Sequence, residues 1–142
     1  MSHGRFDFEK LVKYPHMKPA DVVIWERFID SLPDFFDGID YDVCVGEGAD
    51  FLPTGEDTPE GRENRLYQKK IDVVGYKGEQ ITLIEVKRVA SMNALGQILA
   101  YYDMYLRMLE RPRPVKKMVL AEKMDKDIVN VFFKNEIDVV II

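Results

Sequence analysis

The pattern of residues along this chain of 142 predicts an α/β fold. Short runs rich in β-branched and aromatic residues alternate with longer stretches of helical periodicity, and Gly or Pro residues separate the two kinds. Apolar residues make up 46% of the chain and charged residues 32%, as expected of a folded globular protein. The length suits one domain, which we expect to span residues 1–142.

The first predicted element is a helix over Pro19–Leu32. Its opening proline fits a first-turn position, and Asp21 suits the positive N-terminal end of a helix. A short strand is predicted over Tyr41–Val45. Residues 49–66 are rich in Pro, Gly and acidic residues without periodicity, which predicts a long loop.

The best strand candidates are Tyr67–Tyr76 and Gln80–Val89, which Lys77-Gly78-Glu79 joins. The clearest helix is Ala90–Glu110. Its predicted apolar stripe consists of Leu95, Ile98, Leu99, Tyr102, Leu106 and Leu109. After a Pro-rich stop, the last predicted elements are a strand over Lys116–Ala121, a helix over Asp125–Asn135 and a strand over Ile137–Ile142.

Composition limits the classes of function. The net charge of −5 counts mildly against nucleic acid as a partner, although lysines cluster around the predicted hairpin. The one cysteine, Cys44, excludes an internal disulfide, and we interpret it as a core residue. No apolar run approaches the roughly 20 residues of a membrane helix, and the N-terminus does not resemble a secretory signal. We therefore expect a cytoplasmic protein with no membrane partner.

The central hairpin brings charged residues together. A two-residue turn at Gly78-Glu79 suits a type II′ hairpin and places Asp72 directly opposite Glu85. Residues opposed in this way have Cβ atoms about 4.5–5.5 Å apart. Lys87 lies two residues beyond Glu85 and projects from the same face.

Two facing carboxylates among apolar neighbours need a cation. Mg²⁺ is the natural occupant because it takes oxygen ligands and keeps waters. Lys87 would act on an attacking water or offset charge on a phosphate, which points to phosphodiester hydrolysis. Alternatively, Lys87 merely pairs with the two acids on a solvated sheet face. A bulge or a three-residue loop would also move the acids to opposite faces.

The same residues resemble a known superfamily. Ile71-Asp72, followed thirteen positions after Asp72 by Glu85-Val86-Lys87, is similar to the (P)D…(D/E)-x-K signature of PD-(D/E)xK nucleases, with Ile in place of Pro. The resemblance covers roughly Val22–Ala121. It implies a restriction-endonuclease-like αβββαβ core, with a mixed central sheet flanked by helices, to which this chain adds a C-terminal helix and strand. It also implies that Asp72, Glu85 and the Val86 carbonyl bind metal, and that Lys87 serves the water.

Gln97 and Tyr101 lie four residues apart, on one face of the predicted helix and off its main apolar stripe. They resemble the Q-x-x-x-Y motif of the RecB-like branch, which implies a place beside the metal and contact with the nucleic acid strand. The alternative is ordinary helix surface with a half-buried tyrosine.

Glu26 is the one carboxylate well inside the first helix. Many members of the superfamily place a glutamate from this helix near the metal, which makes Glu26 a candidate ligand. A solvated Glu26, or one paired with Arg27, is the alternative.

The sequence thus predicts a Mg²⁺- or Mn²⁺-dependent enzyme that hydrolyses DNA. The rival is a non-catalytic module with the nuclease fold that binds nucleic acid or a partner protein. Because the chain is short, we expect target choice to come from a homodimer or from an accessory helicase or phage protein.

Overall fold

The computed structural model describes residues 4–46 and 69–142, so the loop predicted over residues 49–66 lies outside the described residues. The predicted helices and strands are present, with shifted ends. In chain order they are α1 (Pro19–Ser31), β1 (Gly38–Val45), β2 (Lys69–Lys77), β3 (Gln80–Ala90), α2 (Met92–Met108), β4 (Val115–Met124), a 3-10 turn (Lys126–Ile128), α3 (Val129–Lys134) and β5 (Ile137–Ile141).

The five strands form one mixed sheet in the order β1-β2-β3-β4-β5. The first three strands are antiparallel neighbours, and β3, β4 and β5 run parallel. The chain crosses from β3 to β4 through α2 and from β4 to β5 through α3, as parallel neighbours require. The α/β class and the mixed sheet flanked by helices are confirmed.

Each face of the sheet has its own core. On one face α1 contributes Ile24, Trp25 and Phe28, and on the other α2 contributes Ala94 and Ile98, together with Tyr101. The predicted α2 stripe was wrong at Leu106, which is 39% exposed, and it omitted Tyr101, which is buried. The sheet covers a narrow strip of the helix, and the other leucines of the predicted stripe lie along its margins.

The hairpin between β2 and β3 has the predicted register. Lys77 lies opposite Gln80, and pairing continues regularly as far as Val73 and Ile84. Gly78, at the first turn position, has φ 57, as a two-residue turn of this kind requires. The paired ladder ends one pair before Asp72 and Glu85.

Beside the end of that ladder, the alternation of side chains along β1 and β2 is interrupted. Side chains that regular alternation would place on one face of the sheet lie on opposite faces. In β1, Tyr41 packs in the α1 core and Val43 in the α2 core, although regular alternation would place them on one side. Val73 and Ile71 of β2 differ in the same way. Cys44 is consequently exposed, and its assignment to the core was wrong, because the rotated strand turns its neighbours inward instead.

None of the helices in the two described ranges is long and apolar enough to span a membrane.

Candidate functional site

A fork opens between β2 and β3 beyond the Val73–Ile84 pair, and it contains Asp72 and Glu85. Past this point β2 stays paired with β1, whereas β3 stays paired with β4. The Asp72 side chain spans the gap, since its Oδ2 accepts a hydrogen bond of 3.1 Å from the backbone N–H of Val86. A side chain therefore replaces the next backbone bond of the ladder.

The two carboxyl groups in the fork interact electrostatically, since the negative charge of Asp72 acts on Glu85. Glu85 is 2% exposed, and its Oε1 is buried without a hydrogen-bond partner in the described structure. Burial, and then the negative charge of Asp72, raise the pKa of Glu85 to about 8. Burial also raises the pKa of Asp72, while the hydrogen bond from the Val86 N–H acts in the opposite direction and lowers it. At neutral pH the pair thus resists carrying two negative charges without a cation.

Lys87 supplies one positive charge at the edge of the fork. Its Nζ lies 3.4 Å from Glu85 Oε2, and its side chain is 33% exposed. The ammonium group therefore contacts the buried pair on one side and solvent on the other. The structure brings Asp72, Glu85 and Lys87 together as predicted. Of the alternative, the pairing of Lys87 with Glu85 is present, but the solvated face was wrong, because Glu85 is buried.

The facing helix α2 contributes Tyr101 and Gln97. The pKa of Tyr101 is raised to about 12, first by burial and then by the charges of Glu85 and Asp72, which places its hydroxyl near the pair. Gln97 lies one turn earlier, and its Oε1 is buried without a partner among the described residues. Tyr101 belongs to the buried face of α2, so its expected position off the apolar stripe was wrong.

The structure does not bring Glu26 to the fork. The Tyr14 hydroxyl donates a hydrogen bond of 2.8 Å to Glu26 Oε2. At 100° per residue, Glu26 lies about 140° around α1 from Asp21. The pKa of Asp21 is raised by burial and then by the charge of Asp72, while Lys87 lowers it. The acid that α1 turns toward the fork is therefore Asp21.

Sequence reasoning missed Asp21 because its position in the first turn of α1 already had an explanation in the helix dipole. A better signal was available in the periodicity. Asp21 lies three and four residues before Ile24 and Trp25, which are fully buried against the sheet. That spacing places Asp21 on the sheet-facing side of the helix.

The residues in the fork fit a hydrated divalent cation. Among residues 4–46 and 69–142, no three or more His, Cys, Asp or Glu side chains come close enough to hold a metal ion. Mg²⁺, however, is usually bound through one or two carboxylates and keeps several waters. The unpartnered Oε1 of Glu85 is a free ligand atom. The Val86 carbonyl points to the same side of β3 as its N–H, toward Asp72, and offers another.

No protein-family model matches the sequence, and it shows no significant match to a curated protein or a solved structure. The residues of the fork and the sequence signature are therefore the features that point to a function.

Proposed function

We propose that this protein is a Mg²⁺- or Mn²⁺-dependent nuclease that hydrolyses phosphodiester bonds in DNA. The observation behind the proposal is the pair of facing acids Asp72 and Glu85, in which the buried Glu85 has an unpartnered oxygen and lies beside the Lys87 ammonium. A stability role alone does not explain this group, because burying two acids together costs free energy. The order α1-β1-β2-β3-α2-β4 agrees with the αβββαβ core of PD-(D/E)xK nucleases and supports the same conclusion.

Each residue of the fork has a role in this proposal. Asp72 and Glu85 would hold the cation, with the Val86 carbonyl as a further ligand. The bound ion would supply positive charge to the phosphate and lower the pKa of its bound water. Lys87 would hold the attacking water and offset negative charge that develops on the phosphate oxygens. Asp21 would accept a hydrogen bond from a water on the α1 side of the fork.

Tyr101 and Gln97 would position the DNA strand. Both belong to α2, which covers the fork from one face of the sheet. With its raised pKa, Tyr101 stays protonated at neutral pH and keeps its hydroxyl as a donor for a phosphate oxygen. The buried carbonyl oxygen of Gln97 is free to accept a hydrogen bond from a water or a substrate.

The decisive experiment compares two lysines of the same hairpin. Purified protein is incubated with single-stranded and double-stranded DNA in Mg²⁺ or Mn²⁺, alongside Lys87→Ala and Lys77→Ala. Lys77 lies at the turn end, where its Nζ is 3.4 Å from Asp37. We expect Lys87→Ala to reduce cleavage by about 10²-fold or more, the range for one positioned catalytic group, and Lys77→Ala to retain it.

Equal cleavage by the parent protein and Lys87→Ala would overturn the assignment of the centre. Metal binding provides an independent check, because Asp72→Asn removes one ligand charge. Isothermal titration with Mn²⁺ should give a binding signal for the parent that weakens strongly in Asp72→Asn.

The alternative is a non-catalytic module that keeps the nuclease fold and binds nucleic acid or a partner protein. The net charge of −5 favours a protein partner over nucleic acid. In this case neither DNA cleavage nor Mn²⁺ binding that depends on Asp72 would be observed.

A further inference from the structure

Asp42 of β1 occupies a special position opposite Asp72. Its backbone has φ 55, in the left-handed region that few residues other than glycine adopt. Backbone pairing between β1 and β2 is regular on both sides, at Tyr41–Val73 and Val43–Ile71, but skips the Asp42–Asp72 pair between them. No residue is inserted in either strand, so the irregularity is a rotation and not a bulge.

This rotation accounts for the change of face in both strands. Tyr41 and Val73 pack in the α1 core, whereas Val43 and Ile71 pack in the α2 core. Because β1 and β2 stay hydrogen-bonded beyond the skipped pair, a turn in one strand requires a matching turn in the other. Asp42 is the member of this pair with the left-handed backbone.

The rotation determines where the Asp72 side chain points. Its two chain neighbours face opposite cores, which leaves Asp72 directed toward β3, in the plane of the sheet. There its Oδ2 accepts the Val86 N–H at 3.1 Å. In a regular strand the same carboxylate would project from one face of the sheet, out of reach of that N–H.

The side chain of Asp42 lies between two basic side chains. Its Oδ2 lies 3.7 Å from His16 Nδ1 and 3.9 Å from Lys70 Nζ. Asp42 and Asp72 stand at opposed positions of β1 and β2, and the charge of Asp42 raises the pKa of Asp72. Aspartate and asparagine are among the residues best able to adopt the left-handed conformation, because their short polar side chains bond locally.

We infer that Asp42 is a positioning residue, whose left-handed backbone rotates β1 and β2 and thereby turns the Asp72 carboxylate into the fork. The consequence for metal affinity rests on the proposed nuclease function. The consequence for the Val86 N–H does not, because that hydrogen bond belongs to the metal-free protein.

The test separates backbone conformation from charge. Asp42→Asn and Asp42→Gly tolerate a positive φ without the carboxylate, whereas Asp42→Val does not. Amide hydrogen exchange of Val86 is measured in each variant, with Asp72→Ala as the reference that lacks the acceptor. The matched control is the amide of Ile81 in the same strand, which donates to the Pro114 carbonyl at 2.9 Å.

We expect Asp42→Val to accelerate Val86 exchange about tenfold relative to Ile81, the effect of losing one hydrogen bond, and both tolerant variants to match the parent. The affinity for Mn²⁺ should fall by about 10- to 100-fold in Asp42→Val and be restored in Asp42→Asn. Should the valine variant fail to fold, Asp42→Ala provides the same comparison with a smaller steric penalty.

Two results would overturn the inference. Equal acceleration at Val86 and Ile81 would mean general destabilisation, and loss of protection in Asp42→Asn would mean that charge, and not backbone conformation, is responsible. If the parent binds no Mn²⁺, the proposed function fails while the Val86 measurement still decides the role of Asp42.

Discussion

The two ends of the β2–β3 hairpin differ in how their polar groups are hydrogen-bonded, although the same two strands form both. At the turn end, Lys77 pairs with Gln80, and the Gly78 N–H donates a hydrogen bond of 2.8 Å to Asp37 Oδ2. At the forked end, backbone pairing stops, and a buried oxygen of Glu85 has no partner among the described residues. The turn end therefore keeps its backbone pair and a bonded Gly78 N–H, whereas the forked end leaves a buried carboxyl oxygen without a partner.

The contrast indicates where stability and function separate. Regular pairing and a well-formed turn stabilise the sheet, while a buried acid without a partner costs free energy. Conflicts of this kind between local and global preference are expected at functional sites. The fork is therefore where we expect a bound ion to supply what the protein alone lacks. Four predictions test this comparison.

The largest expected effect concerns Glu85 in the metal-free protein. Its pKa is raised from 4.5 to about 8 in the folded state, so folded protein keeps a proton that the unfolded chain has lost. The stabilisation from this group is complete below about pH 4.5 and disappears as the pH rises through about 8. Glu85→Gln should therefore gain stability relative to the parent between pH 5 and 9, on the order of 3 kcal/mol, as measured by urea unfolding.

Stabilisation by a divalent metal ion is a second test of the forked end. Mn²⁺ should stabilise the parent more at pH 8 than at pH 5, because protons compete for the carboxylates at the lower pH. A difference in stability between parent and Glu85→Gln that did not vary with pH would show that Glu85 ionises normally.

A smaller effect is expected in the middle of the hairpin, at Gly75. A Cβ at this position would lie 2.6 Å from the ring of the buried Phe36. Gly75→Ala should destabilise the protein by about 2 kcal/mol, because a packed ring has to move. Gly96→Ala in α2 is the matched control, since a Cβ there meets nothing within 4 Å. A Gly75→Ala protein as stable as the parent in urea unfolding would contradict this packing.

The smallest effect is expected at the turn. A Cβ at Gly78 would contact nothing within 4 Å, so the cost of Gly78→Ala comes from its φ of 57 alone. We expect a loss of about 1 kcal/mol in thermal or urea unfolding, with unchanged Mn²⁺ affinity. A change in Mn²⁺ affinity would mean that the two ends of the hairpin are not independent.

The sequence predicted those features that depend on neighbouring residues. The hairpin register follows from the two-residue turn at Gly78, and the meeting of Asp72, Glu85 and Lys87 follows from that register. Glu26 was a candidate because it lies well inside α1, but the acid that α1 turns toward the fork is Asp21. Which acid faces the fork depends on which side of α1 packs on the sheet, and the helix pattern alone left that open.

The sequence by itself determined the α/β class, the order of the elements and the strand pairing that assembles the acidic pair, because alternation, periodicity and turn residues act over a few neighbouring positions. Only the tertiary structure decided the fork, the burial of Tyr101 and the approach of Asp21. These features depend on the rotation of two paired strands at Asp42 and on which side of each helix meets the sheet. Contacts between residues distant in the chain determine the strand rotation and the packed side of each helix, and local sequence patterns do not predict such contacts.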